Sequence, residues 1–164
     1  IKFNNQYGET FVVPEPAISE TTAIVPGIDG QKMSKSYGNT IPIFLDGKPL
    51  KKQVMAIQTD ATPVEEPKNP DSCNLYQIMK LFASKERMQE IHELYVGGGA
   101  AYGYLKLELL DMLNDTFGAA RQKKKEYLAD PAMLRDILGK GAEKAREKAT
   151  VTLDLVREKV GLKY

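Results

Sequence analysis

A mainly α protein with a short α/β strand-and-loop segment at its N-terminus is the fold class this sequence predicts. Three observations carry it. From Leu75 onward, apolar residues recur at helical spacing with few interruptions. Ser84 and Asp130-Pro131, good helix-opening residues, stand where two of those stretches begin. Before residue 48 the apolar runs are short, β-branched and cut by proline or glycine.

Taken in order, Ile1 to Tyr7 reads as the last turns of a helix, with Gly8 as its stop. Phe11-Val12-Val13, ended by Pro14, reads as a strand, and so does Thr22-Ala23-Ile24-Val25, ended by Pro26-Gly27. The next residues therefore leave the end of a strand, the usual place for ligand loops in α/β sheets. Ile41 to Leu45 is apolar, but Pro42 restricts it to an edge strand or an extended packing segment. Asp46-Gly47 signals a turn. Pro49 then suits the first helical position, and Leu50 to Ile57 continue the helix. Thr59 to Asn74, rich in Pro, Asp, Glu and Asn, reads as loop with a few ordered turns.

Leu75, Ile78, Met79 and Phe82 fit one helical face. Ser84 opens a helix to about Tyr95 with Met88, Ile91 and Leu94 inward, and Gly97-Gly98-Gly99 breaks it. Tyr104, Leu105, Leu109, Met112, Leu113 and Phe117 mark a long helix that carries on through Lys123-Lys124-Lys125 to Leu128. Asp130-Pro131 caps the next, which includes Met133, Leu134, Ile137 and Leu138. Gly139 and Gly141 are expected to loosen the junction to a last helix. Its narrow stripe runs Ala142, Ala145, Ala149, Leu153, Val156, Val160, and Gly161 ends it. The chain thus divides into a strand-and-loop part, 1–47, and a helical part, 48–164.

Composition narrows the function classes. The 164 residues suffice for one domain with its own core, or a small piece plus a domain. With 42% hydrophobic and 27% charged residues the balance is that of a globular protein. No apolar run approaches the ~20 residues that span a bilayer. The chain opens on Ile1 in mid-pattern, which suggests a piece of a longer protein. The single cysteine, Cys73, forms no internal disulfide and fits a reducing cytoplasm. The single histidine, His92, has no second ligand type clustered near it, so no metal ligands are assigned. Residues 119–164 carry 12 Lys/Arg against 7 Asp/Glu, a net of +5, while residues 1–118 carry a net of −4. A basic end suits a polyanion such as RNA, and equally a well-solvated set of helices.

The most informative stretch is Pro26-Gly27-Ile28-Asp29-Gly30-Gln31-Lys32-Met33-Ser34-Lys35-Ser36-Tyr37-Gly38-Asn39. Two lysines and two hydroxyls fall within Lys32–Ser36, framed by glycines that allow tight bends and movement. Backbone N–H groups in such a loop can form an anion-binding concavity, and lysine adds compact, rotatable charge. These are the parts of a mobile polyphosphate clamp.

Lys-Met-Ser-Lys-Ser resembles the signature loop of class I aminoacyl-tRNA synthetases, and the longer Gly-Ile-Asp-Gly-Gln-Lys-Met-Ser-Lys-Ser-Tyr-Gly-Asn resembles their tryptophanyl and tyrosyl branch. Tyr95-Val96-Gly97-Gly98-Gly99, Tyr102-Gly103-Tyr104-Leu105-Lys106 and Gly141 to Ala149, with Thr152-Leu153 and Val156-Arg157 after it, resemble elements of bacterial-type tryptophanyl-tRNA synthetases. Tyr37-Gly38 departs from the Asp-Pro of many relatives.

The resemblance implies that this is the C-terminal portion of such an enzyme. Residues 1–47 would then be a remnant of a Rossmann-derived catalytic domain, and 48–164 a helical domain binding the anticodon region of tRNA(Trp). It implies ATP and tryptophan as substrates, with Mg2+ assisting, in adenylate formation followed by esterification of tRNA. Lys35 and Lys32 would be catalytic. Lys32, Met33, Ser34, Lys35 and Ser36 would bind ATP, and Ala23 to Val25 would offer backbone groups to adenine. Arg121, Lys123, Lys124 and Lys125 would contact tRNA phosphates. The family's histidine motif and amino-acid pocket are expected in a preceding part, so the isolated piece is expected to be inactive. A cytoplasmic homodimer without membrane attachment is the further implication. Two other readings are a tyrosyl-tRNA synthetase portion and a non-catalytic helical RNA-binding or interaction module.

Overall fold

The computed structural model describes residues 1–19 and 22–162. Six helices carry nearly all its regular structure: α1 Lys2–Tyr7, α2 Gly47–Met55, α3 Asn74–Met79, α4 Lys85–Gly97, α5 Tyr102–Ala129 and α6 Pro131–Lys159. A short 3-10 turn covers Lys35–Tyr37. The protein is mainly α, as expected.

The expected N-terminal α/β segment does not form. Among the described residues there is no strand, only an isolated antiparallel bridge between Pro26 and Lys32. The backbone explains why. A β-run needs another strand to satisfy its N–H and C=O groups. Phe11 instead exchanges both with one side chain: Asn4 Oδ1 accepts from Phe11 N–H at 3.0 Å, and Asn4 Nδ2 donates to Phe11 O at 2.7 Å. Val25 gives its carbonyl to Met33 N–H at 2.8 Å. Ile41 to Leu45 is neither an edge strand nor extended throughout: Leu45 N–H closes a turn onto Pro42 O at 3.0 Å, with Ile43 and Phe44 at its corner.

The chain forms two compact units, Ile1–Ala17 with Lys125–Tyr164, and Ile18–Lys124. The second holds the core. Leu50 and Val54 of α2, Leu75, Ile78 and Met79 of α3, Ile91 and Tyr95 of α4, and Leu105, Leu109 and Leu113 of α5 are all buried. Each such side chain contributes about 1.5–3 kcal/mol by leaving water. Leu94, expected inward, is 37% exposed, because Tyr95 takes the buried position beside Ile91. Arg87 of α4 grips Glu108 of α5 through two contacts, Nε to Oε1 at 2.6 Å and Nη2 to Oε2 at 2.9 Å.

The Pro-rich stretch 59–74 is ordered around a buried cation. Lys68 is 5% exposed. Its ammonium donates to the carbonyls of Pro63, Glu66 (3.2 Å) and Val64 (3.4 Å), and lies 5.4 Å from the Tyr102 ring centroid. Tyr102 in turn donates to Asp60 Oδ1 at 2.9 Å. Cys73 is buried, with its sulfur 3.3 Å from the Tyr95 hydroxyl. Burial first, and the Cys73 contact second, push the Tyr95 hydroxyl's pKa far up.

Local signals placed the helix ends well. Ser84 Oγ accepts from Arg87 N–H, and Gly8 and Gly98 sit at the ends of α1 and α4. Asp130 Oδ1 accepts from Ala132 N–H at 3.1 Å and Met133 N–H at 2.9 Å. α2 begins at Gly47, two residues before Pro49. The expected break at Gly139 and Gly141 does not occur, since α6 runs through both. An interior glycine costs only about 1 kcal/mol relative to alanine. A long helix absorbs that, aided by pairs such as Lys140–Asp136 at 2.7 Å. In the first unit, α6 has no buried residue among those described, and Lys159 Nζ donates to Tyr7 O at 3.2 Å.

Candidate nucleotide-phosphate loop

The loop 26–39 has a fixed base and a free tip. At the base, Gly27 N–H donates to Gln31 O at 2.7 Å and Met33 N–H to Val25 O, so the two legs run side by side. Gln31 N–H donates to Asp29 Oδ1 at 3.0 Å, which turns the chain between the legs. Ile28 O accepts from Gln58 N–H at 2.7 Å, and Gly27 O from Asn74 Nδ2 at 2.9 Å. The base is thereby tied to the residues after α2 and to the start of α3.

Asn39 closes the loop. It is 2% exposed, and its carboxamide bonds in three directions. Nδ2 donates to Asp29 Oδ1 at 2.8 Å and to Lys32 O at 3.2 Å, while Oδ1 accepts from Ser34 N–H at 2.8 Å. Its backbone carbonyl accepts from Ile28 N–H at 2.9 Å. Gly27 is required beside it, because a Cβ there would lie 2.4 Å from Asn39 Cγ and Nδ2.

The tip carries the sequence-predicted groups. Lys32, Lys35 and Ser36 are exposed, and Met33 and Ser34 half-buried. Ser34 caps the 3-10 turn: its Oγ lies 2.8 Å from Ser36 Oγ and accepts from Ser36 N–H at 3.3 Å. Tyr37 N–H and Gly38 N–H are taken by Ser34 O and Lys35 O. Gly38 ends the turn at φ 68°, a left-handed conformation that suits glycine. The N–H groups of Met33, Ser34, Ser36, Tyr37 and Gly38 are thus engaged internally. Hydroxyls and ammonium groups, rather than a row of backbone N–H groups, are what the tip presents. Of the backbone groups of Ala23 to Val25, expected to face adenine, the Val25 carbonyl accepts from Met33 N–H.

The four candidate tRNA contacts separate. Lys123, Lys124 and Lys125 are exposed on α5, with the Lys124 ammonium 4.8 Å from the Phe44 ring centroid. Arg121, expected on the surface, is 6% exposed. Its Nε donates to Ile43 O and its Nη1 to Asn114 Oδ1, both at 2.7 Å, while Nη2 has no partner among the described protein groups. The guanidinium is turned inward to a carbonyl 78 residues away in sequence, which local charge patterning does not reveal.

His92 is exposed on α4, with Nδ1 3.4 Å from the Tyr76 hydroxyl. Among the described residues no group of three or more His, Cys, Asp or Glu could hold a metal ion. The loop's cations and hydroxyls are not the carboxylate set that Mg2+ takes from protein, and Asp29 is bonded to Asn39 and Gln31 N–H. Asp29 and Asn39 are the residues that sequence reasoning did not assign. The signal for them was the frame Gly27-Ile28-Asp29-Gly30 and Gly38-Asn39 on either side of the lysines.

The chain is similar to known proteins of one family. Residues 1–118 match the family described as tRNA synthetases class I (W and Y). The chain is 47% identical over 163 residues to a tryptophan–tRNA ligase of Fusobacterium nucleatum, covering 99% of this chain and 50% of that protein. It is 44% identical over 162 residues to a tryptophan–tRNA ligase of Campylobacter jejuni (strain RM1221), covering 99% of this chain and 51% of that one. It also resembles the crystal structure of tryptophanyl-tRNA synthetase from Campylobacter jejuni complexed with ADP and tryptophan. There the TM-score is 0.81 at 45% identity, over 98% of this chain and 50% of that one. The chain spans about half the length of these curated relatives. It belongs to the class I tRNA synthetases of the tryptophan and tyrosine family.

Proposed function

We propose that this chain is the C-terminal portion of a tryptophan–tRNA ligase and supplies the loop that grips the triphosphate of ATP. Residues 1–47 would belong to the catalytic domain and 48–164 to a helical tRNA-binding domain. The observation that carries this reading is the division within the loop: a base locked by Asn39 and Asp29, and an exposed tip holding Lys32, Lys35 and Ser36. Such a loop can move as a unit while keeping its groups in fixed mutual positions.

In the first half-reaction a tryptophan carboxylate oxygen attacks the α-phosphorus of ATP. The bond from that phosphorus to the bridging oxygen breaks, and pyrophosphate leaves with the bonding pair. Little proton transfer is needed. Alignment and stabilisation of charge on the leaving group are. Lys32 and Lys35 supply positive charge on β- and γ-oxygens, Lys35 above all in the transition state. The Ser34 and Ser36 hydroxyls, 2.8 Å apart, donate to phosphate oxygens once the nucleotide replaces their mutual contact. Met33 sets its backbone against the nucleotide. Mg2+ carried in with the nucleotide would add charge stabilisation, and no residue of this chain is assigned to hold it. The adenylate then esterifies the terminal adenosine of tRNA(Trp), while Lys123, Lys124 and Lys125 bind its phosphates. Arg121 has no part in that contact. The assembled enzyme works as a cytoplasmic homodimer, and no helix among the described residues is long and apolar enough to cross a membrane.

The test is Lys35→Ala in the full-length protein, read by pyrophosphate exchange at saturating substrates. Loss of one charge-assisted contact made in the transition state slows exchange about a hundredfold, ~3 kcal/mol. Tryptophan binding stays unchanged. Exchange at the parental rate would end the proposal.

A further inference from the structure

We infer that Asn39 is a positioning residue for adenylate formation, setting the angle at which the loop presents Lys32, Ser34 and Lys35 without itself touching ATP. The inference rests on the proposed reading of the loop. Asn39 lies beyond the five-residue signature and, at 2% exposure, offers no surface to a ligand. Yet it is bonded to both ends of the group that would do the work. It holds the Lys32 carbonyl at 3.2 Å and the Ser34 N–H at 2.8 Å, one on each side of Met33. The third bond, to Asp29 Oδ1 at 2.8 Å, anchors that carboxamide to the opposite leg. Asp29 also takes Gln31 N–H, so the same carboxylate orders the turn leading into Lys32.

The site demands an amide specifically. Asn39 must donate twice and accept once at the same centre. Aspartate would keep the acceptor for Ser34 but set a second carboxylate against Asp29 and against the Lys32 carbonyl. Leucine would leave the Ser34 N–H and Lys32 O without partners in a buried place. The chain also gives up a side chain to make room, since a Cβ on Gly27 would sit 2.4 Å from the carboxamide. Asn39 therefore fixes where Ser34 starts the 3-10 turn, and that turn fixes the direction of Lys35 and Ser36.

The experiment is steady-state pyrophosphate exchange in the full-length protein with Asn39→Asp. Misplacement of this size is expected to lower kcat about a hundredfold in Asn39→Asp with KM for ATP unchanged. Asp29→Ala serves if Asn39→Asp does not fold. It leaves the bonds of Asn39 to Lys32 and Ser34 in place and lowers kcat about tenfold, again without a change in KM. Parental kcat in Asn39→Asp, or in Asp29→Ala where that variant stands in, overturns the inference, and so does a fall accompanied by a matching rise in KM for ATP. Lys35→Ala measured alongside separates the two ideas: slow Lys35→Ala with parental Asn39→Asp removes only the positioning role, whereas a parental Lys35→Ala removes the reading of the loop.

Discussion

Replacing Gly27 by alanine tests the brace at the base of the loop by crowding it. Gly27 is not among the glycines with positive φ, so alanine meets no backbone strain there. The cost is space. The new Cβ would lie 2.4 Å from Asn39 Cγ and Nδ2 and 2.7 Å from Asn39 O. Carbon contacts settle near 3.5–4 Å, so Asn39 must retreat by about 1 Å. Those atoms are a short side chain and a backbone carbonyl, and neither swings aside freely. Retreat stretches the bonds to Ser34 N–H, Asp29 and Lys32 O, each contributing about 1 kcal/mol net. Alanine's smaller unfolded-state entropy offsets about 0.5–1 kcal/mol. The expected net loss is about 2 kcal/mol, a fall in Tm of roughly 4–8 °C for a chain of this size. Urea and thermal unfolding of Gly27→Ala against the parent measure it. Gly118→Ala is the control, because nothing lies within 4 Å of its Cβ position in α5 and it should gain about 1 kcal/mol. A Gly27→Ala protein as stable as the parent would refute the reasoning.

Asp130→Ala removes the acceptor for two N–H groups at the start of α6 and should cost about 1 kcal/mol in urea unfolding. Gly139→Ala and Gly141→Ala, both in open helical positions, should each stabilise by about 1 kcal/mol without changing helical content by circular dichroism. The Asp60 carboxyl is held below its usual range, first by Thr62 N–H, then by the Thr62 side chain, with Tyr102 adding to it against some desolvation. Its stabilising contribution is therefore fully present above the ordinary carboxylate value near 4 and lost as pH falls through the lowered one. Asp60→Asn should flatten the acid limb of a stability-against-pH curve. Replacing Lys123, Lys124 and Lys125 by glutamine should reduce the slope of log affinity for tRNA against log salt by roughly 2. Arg121→Met should leave that slope alone and weaken folding by about 2 kcal/mol instead, as the Ile43 and Asn114 bonds are lost.

What could be read from the residues follows the range of the forces involved. Helix starts at Ser84 and Asp130 were legible because a cap bonds within three residues of itself. The Ser34 cap of the 3-10 turn lies within the same short range, its Oγ accepting from Ser36 N–H. The strands at Phe11–Val13 and Thr22–Val25 were not, since β-branched runs announce a preference that only a partner strand fulfils. Here Asn4 and Met33 take those backbone groups. Three polar residues were misjudged or passed over because their partners are distant or their burial contradicts their type. Arg121 turns to Ile43, Lys68 folds a Pro-rich stretch about its own ammonium, and Asn39 lies buried just past a conspicuous motif. Proline and glycine punctuation suggested a break at Gly139–Gly141, but a penalty of about 1 kcal/mol per glycine does not end a long helix.

The most direct measurement is single-turnover adenylate formation, at saturating ATP and tryptophan, in the full-length protein with Lys32→Gln and Lys35→Gln combined. The expected result is a rate at least about a hundredfold below the parent, with tryptophan affinity intact. Adenylate formed at the parental rate would contradict the role given to the loop.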